Sequence, residues 1–116
     1  MFLQLEHTKT PVYQESKKFI LECYKVTKDF PADERFAMVQ QIRRAALSVH
    51  LNIAEGCSRR SESERRRFFE ISRGSVIEVD AAIDIAHSLK YKTQEELNQL
   101  GCYLVSIFKQ LTGMVR

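Results

Sequence analysis

Tryptophan is missing from the 116-residue chain, and glycine, proline and cysteine are scarce, at 4, 2 and 3 residues. So little glycine and proline, with no low-complexity run, excludes collagen-like and disordered classes. No apolar stretch reaches the roughly 18–20 residues of a membrane span, so no membrane partner is expected. Met1 to Thr10 carries Glu6 and His7 and lacks the apolar core of a secretory signal, which makes a cytoplasmic location the expectation. Cys23, Cys57 and Cys102 form no Cys-x-x-Cys unit and cannot all pair within one chain. A disulfide framework and a zinc knuckle are thereby disfavoured. The three read as buried or incidental thiols, with Cys57, in a basic loop, the one to test for reactivity.

Catalytic signatures are missing as well. There is no Gly-x-Ser-x-Gly and no glycine-rich phosphate loop. Asp84-x-x-His87 has the carboxylate–histidine spacing of di-iron bundle sites, but a second copy is lacking. Leu47 stands three residues before His50, and His7 precedes the first helix. Cys57 and His50 are close in sequence without a third group to orient them. Ser48, Asn52 and Glu55 on one helix face read as a polar network that fixes helix register. The chain is therefore expected to be no enzyme and to use no metal or cofactor.

What is present is helical periodicity. With 44% hydrophobic residues, the length suits a single domain, residues 1–116, with a real core. Four segments repeat apolar residues at helical spacing, at about 11–28, 33–55, 61–89 and 93–114, and none alternates as a strand. Pro11 suits a first turn, and Phe30-Pro31 ends the first helix. In the second, Val39, Ile42, Ala46, Val49 and Ile53 form a seam, Asp33 is the expected N-cap and Gly56 the expected left-handed C-cap. Ser61 with Glu64, and Thr93 with Glu96, read as capping boxes. The third seam is read through Phe68, Ser72, Ser75, Val79, Ala82, Ala86 and Leu89, with Ile71, Val76, Ile77, Ile83 and Ile85 widening the apolar surface. The fourth has Leu97, Leu100, Leu104, Ile107, Leu111 and Met114, with Val105 and Phe108 beside it and Gly101 marking a close helix approach. Four long helices with short loops predict an all-α, antiparallel up-down-up-down four-helix bundle. Apolar surface beyond the seams predicts a subunit interface.

Charge is unevenly spread. Residues 43–73 hold eight arginines (Arg43, Arg44, Arg59, Arg60, Arg65, Arg66, Arg67 and Arg73) against four glutamates, net +4, while the remainder holds ten Lys/Arg against eleven acids, net −1. Arg65, Arg66 and Arg67 open the third helix, where the macrodipole disfavours cations. Few aromatics interleave, so phosphate contact with low sequence selectivity fits better than base stacking. All eight arginines are candidate phosphate contacts for RNA or DNA. The bland alternative is a solvated face paired to Glu62, Glu64 and Glu70.

Gln41-Ile42-Arg43-Arg44-Ala45-Ala46-Leu47-Ser48-Val49, followed by Asn52-Ile53-Ala54-Glu55-Gly56, resembles a known family. So do Phe30-Pro31 with Glu34-Arg35, then Ser58-Arg59-Arg60-Ser61, and Phe68 through Gly74-Ser75 with Glu78. This is the bacterial four-helix-bundle family encoded in intervening sequences of large-subunit ribosomal RNA genes, related to the accessory variability determinant of diversity-generating retroelements. The resemblance implies a homopentamer of up-down bundles without catalytic activity. In the retroelement branch it implies a basic surface that binds nucleic acid and a reverse transcriptase. His50 stands where the family pattern has proline or a small residue, and Phe2 to Tyr13 matches its opening only loosely, which leaves the subfamily open. The second functional reading is a helical scaffold for a protein partner such as a reverse transcriptase, using an apolar groove between helices three and four.

Overall fold

A computed structural model describes residues 1–116: four α-helices and no strand. They are α1 (Pro11–Thr27), α2 (Met38–Ser58), α3 (Glu62–Ser88) and α4 (Gln94–Met114), with short 3₁₀ helices at Glu6–Lys9 and Ala32–Glu34. Thr10 caps α1 by accepting the Tyr13 N–H, with Pro11 in the first turn. Ser61 Oγ accepts the Glu64 N–H at 3.1 Å, but Glu64 does not reach back, so this box is half made. At α4 both halves form: the Glu96 N–H donates to Thr93 Oγ1 at 3.2 Å, and the Thr93 N–H to Glu96 Oε1 at 2.9 Å.

The start of α2 departs from the sequence expectation. Asp33 lies in the 3₁₀ helix rather than at an N-cap, and α2 begins five residues later, behind an Ala37 without a side-chain cap. The segment before it is held to the α3–α4 connection instead. The Tyr91 hydroxyl donates to Glu34 Oε2 at 2.7 Å, Lys92 Nζ lies 2.6 Å from Asp29 Oδ1, and the Phe30 and Tyr91 rings sit 5.3 Å apart.

Each helix packs on two neighbours, α1 on α2 and α4, α3 on α2 and α4. Cross-links fix the antiparallel order. Arg43 meets Thr27 while His50 meets Ser16, Glu15 meets Ser106 and Gln110, and Arg73 meets Thr112. One end of the resulting 44 × 30 × 24 Å body carries the α2–α3 turn, the start of α1 and the end of α4.

A core of 21 buried residues runs between the helices. The seams expected for α2 and α4 are buried up to Leu111, with Met114 only half-buried. The α3 seam is rotated from the expected one. Phe69, Ser72, Val76, Val79, Ile83 and Ala86 are buried, while Phe68, Ser75 and Ala82 are half-buried and Leu89 is exposed. Apolar residues adjoin along α3 (Phe68-Phe69, Val76-Ile77, Ala82-Ile83), so periodicity alone fits two neighbouring registers. Packing selects the one that buries the larger side chains at Val76 and Ile83. The Ser72 hydroxyl, fully buried, donates to the Val49 carbonyl at 2.7 Å and locks α3 against α2.

Two glycine expectations are overturned. Gly56 is no left-handed cap. It lies within α2 without a positive φ, and a Cβ there would stand 2.6 Å from Phe69 Cε1 and 3.1 Å from Phe68 Cβ. Its role is to let the Phe69 ring close over α2. Gly101, by contrast, faces open space, and a Cβ there would meet nothing within 4 Å. Gly56→Ala is expected to lower unfolding free energy by about 1–3 kcal/mol through overpacking. Gly101→Ala is expected to raise it by up to about 1 kcal/mol through helix propensity. Urea denaturation of both variants checks the opposite signs.

Candidate nucleic-acid interface

The structure sorts the eight arginines by what their guanidinium groups already touch. Arg43 lies over the Tyr24 ring at 4.4 Å and donates through Nε to Thr27 Oγ1 at 3.0 Å, tying α2 to α1. Arg73 lies over Phe108 at 4.3 Å and donates to Thr112 Oγ1 at 2.8 Å, tying α3 to α4. Arg65 reaches back from the first turns of α3 and donates to the carbonyls of Cys57 at 3.1 Å and Arg59 at 3.2 Å. It therefore serves the C-terminal end of α2, where the macrodipole favours a cation, and this offsets its unfavourable place on its own helix. The reach from one helix to the next explains a residue whose position within α3 made no sense from sequence.

The remaining five are exposed. Arg59 pairs with Glu55 at 2.9 Å and covers the Phe68 ring at 4.7 Å. Arg66 is loosely placed, 3.8 Å from Glu62. The side chains of Arg44, Arg60 and Arg67 make no hydrogen bond or ion pair within the chain. Arg59, Arg60, Arg66 and Arg67 all belong to the α2–α3 turn and the first turns of α3. Arg44 lies near the opposite half of α2, roughly 20 Å away along the helix. The eight therefore do not form one surface. The free ones concentrate at one end of the bundle, with Arg44 apart.

Sequence reasoning missed that other segments reinforce that end. The half carrying the α2–α3 turn (residues 1–18, 48–74 and 104–116) holds 11 Lys/Arg against 6 Asp/Glu, net +5. The other half holds 7 against 9, net −2. Lys9, Lys17, Lys18, Lys109 and Arg116 supply the extra charge from both termini. Only the antiparallel pairing, not a sequence window, brings them level with the arginines.

The polar stripe divides in the same way. Asn52 Nδ2 donates to Ser48 Oγ at 3.0 Å, and the Ser75 hydroxyl of α3 donates to the same oxygen at 2.9 Å. This links α2 to α3 as a half-buried register network. Glu55 and Arg44 lie outside it. Asp84 and His87 are exposed on α3, and no three His, Cys, Asp or Glu side chains converge as metal ligands. No helix is long and apolar enough to cross a membrane.

Fold and charge together define a helical-bundle protein with an electropositive end. Residues 8–113 match the model of the 23S rRNA-intervening sequence protein family, and the chain belongs to that family. Among solved structures it is similar to a protein of unknown function from the S23 ribosomal protein family of Bacteroides thetaiotaomicron VPI-5482. The two share 21% identity over 90% of this chain and 98% of that one, with a TM-score of 0.81, a likeness of fold. No curated protein matches the chain.

The thiols also find their places. Burial pushes the Cys23 thiol up to about 12. Cys57 lies in α2 rather than in a loop, and its thiol is raised by burial, partly countered by the nearby Arg65 charge. Cys102 is exposed. A larger thiolate fraction and open access mean faster reaction. An aromatic disulfide reagent at pH 8 is expected to modify Cys102 first, Cys57 more slowly and Cys23 only after unfolding, as read by peptide mapping. Faster labelling of Cys57 than of Cys102 would contradict this placement.

Proposed function

We propose that this protein is a non-enzymatic, self-assembling nucleic-acid-binding protein of the cytoplasm, contacting phosphates with little sequence preference. The observation that carries the reading is the pair of exposed, unpartnered guanidinium groups of Arg60 and Arg67 at the +5 end of the bundle. Unengaged guanidinium groups retain their donors for phosphate oxygens. Arg59 and Arg66 join them when a phosphate replaces their exposed glutamate partners, since such surface pairs contribute at most about 1 kcal/mol. Arg65 and Arg73 support the surface by holding the helices beneath it, while Arg43 ties α1 to α2 in the other half.

One copy offers a small patch, and assembly multiplies it. Exposed Leu47 and Leu51 on α2, with Ile71, Ile77 and Ile85 on α3, supply apolar surface for a contact between copies. A homopentamer, as the family resemblance implies, would present five electropositive ends to one strand and gain by avidity.

A protein partner is the second reading, favoured by one observation. A groove between α3 and α4 is lined by Val76, Ile77, Leu104, Val105 and Phe108, with Ile77 and Val105 about half exposed. A reverse transcriptase, as in the retroelement relatives that the sequence resembles, is the partner this reading names.

Fluorescence anisotropy with a single-stranded RNA and a duplex DNA, across 50–300 mM salt, separates the two. Affinity is expected to fall with salt, with a log–log slope of about 0.7–0.9 per phosphate contacted. Arg60→Ala with Arg67→Ala is expected to reduce the slope by roughly one to two in each copy's contribution. The same pair should leave the unfolding free energy within about 0.5 kcal/mol of its starting value. Absence of binding at 50 mM salt, or a slope unchanged by the double variant, contradicts the first reading.

A further inference from the structure

A second cationic feature lies on the α1–α2 flank of the same half. A cleft of about 740 Å³ opens between the 3₁₀ helix Glu6–Lys9, the first turns of α1 and the middle of α2. Lys9, Lys17 and His50 line it together with Tyr13, and none of its lining residues is acidic. Lys17 makes no ion pair, and Lys9 has only a 3.8 Å contact with a nearly fully exposed Glu6. Such charge around a concave surface, without a lining carboxylate, is stabilised by an anion.

The histidine is held in one orientation. Ser16 Oγ lies 2.7 Å from His50 Nδ1 and 2.8 Å from the Tyr13 carbonyl oxygen. The carbonyl only accepts, so the single hydroxyl proton goes there, and Nδ1–H donates to Ser16 Oγ. Tyr13 packs on the imidazole with ring centroids 4.3 Å apart. Nε2 makes no protein hydrogen bond and is the nitrogen left for the cleft. In the neutral ring Nε2 is an acceptor, which repels an oxyanion. Protonation turns it into a donor without disturbing the Ser16 contact.

We propose that this cleft is a binding site for a phosphate group, held by Lys9, Lys17 and the Nε2 edge of His50, with binding coupled to protonation of that histidine. The coupling follows from the surroundings. Burial first, then the charges of Lys17 and His7, hold the His50 pKa below the ordinary histidine value. From the N-terminal segment, Met1 with its amino group lines the cleft. From the 3₁₀ helix Glu6, His7 and Lys9 are the charged or titratable neighbours, and from α1 Tyr13 and Lys17. One turn away on α2 itself, Ala46, Leu47, Ile53 and Ala54 carry no charge. A bound dianion among these groups favours the imidazolium, so the pKa rises on binding, and binding strengthens as pH falls through the histidine range. The phosphate has two sources, a free phosphate or mononucleotide and the terminal phosphate of a nucleic-acid strand. The site does not depend on strand binding by the arginines and is tested separately from it.

The experiment is a pH titration of the three histidine side chains by carbon–proton NMR. It compares inorganic sulfate, a dianion that does not titrate in this range, with sodium chloride at equal ionic strength. The expected result is a sulfate-specific upward shift of the His50 pKa by half a unit or more. His87, at the far end of α3, should stay unmoved. Lys17→Met is expected to abolish the sulfate effect while raising the His50 pKa in chloride, a signature that mere loss of folding does not give. Inorganic phosphate at fixed pH should then compete with sulfate. A 5′-phosphorylated oligonucleotide that perturbs His50 more than its 5′-hydroxyl counterpart identifies the strand end as a source, and equal perturbation identifies the free anion. An identical His50 titration in sulfate and chloride would overturn the proposal, whatever the outcome for the arginine end.

Discussion

Close packing of α2 against α3 is the constraint on which the rest of the molecule depends. It is made by what is absent from the contact: no Cβ at Gly56, and a hydroxyl at Ser72 small enough to be fully buried against the Val49 carbonyl. Phe69 closes one end of the pair, and the Ser48–Asn52–Ser75 network runs along its side. With the two helices so close, the Arg59–Ser61 turn between them is tight, and Arg65 spans it to reach the carbonyls of Cys57 and Arg59. The arginine-rich sequence is thereby folded into a compact end. Extended, the same residues would only be a charged run.

That geometry separates structural arginines from free ones. A guanidinium can lie over an aromatic ring and still donate a hydrogen bond, as Arg43 does over Tyr24 and Arg73 over Phe108. These two act as struts between helix pairs, and their charge is partly spent on the chain itself. Arg60 and Arg67 have no such ring and no carboxylate. Antiparallel packing then sets lysines from both termini beside them and gathers acids such as Asp80, Asp84, Glu95 and Glu96 in the other half. The polarity of the molecule is a consequence of topology acting on a chain of modest net charge.

Much of this was legible in the chain alone. The α2 and α4 seams, the Thr93–Glu96 box and the break at Phe30-Pro31 follow from spacing and local chemistry, which act over one or two turns. The errors arise where tertiary contacts decide. Adjacent apolar pairs in α3 left its register open until α2 and α4 selected a face. Gly56 looks like a helix end by residue type, but its meaning lies in Phe69, thirteen residues on. Arg65 looks misplaced because its partner is another helix's terminus. The cleft at His50 was invisible because Lys9, Lys17 and His50 are brought together only by the packing of α1 on α2, and Ser16 gives no sign in sequence that it will orient an imidazole.

The central claim is that one end of the bundle, and not the charge of the whole chain, meets a polyanion. Mapping backbone amide shifts by NMR during titration with a short single-stranded RNA tests it most directly. The account predicts perturbations clustered at residues 57–68 and the level ends of α1 and α4, with the α3–α4 connection around Lys90 to Thr93 silent. Shifts centred on that far connection, or spread evenly over all four helices, would contradict it.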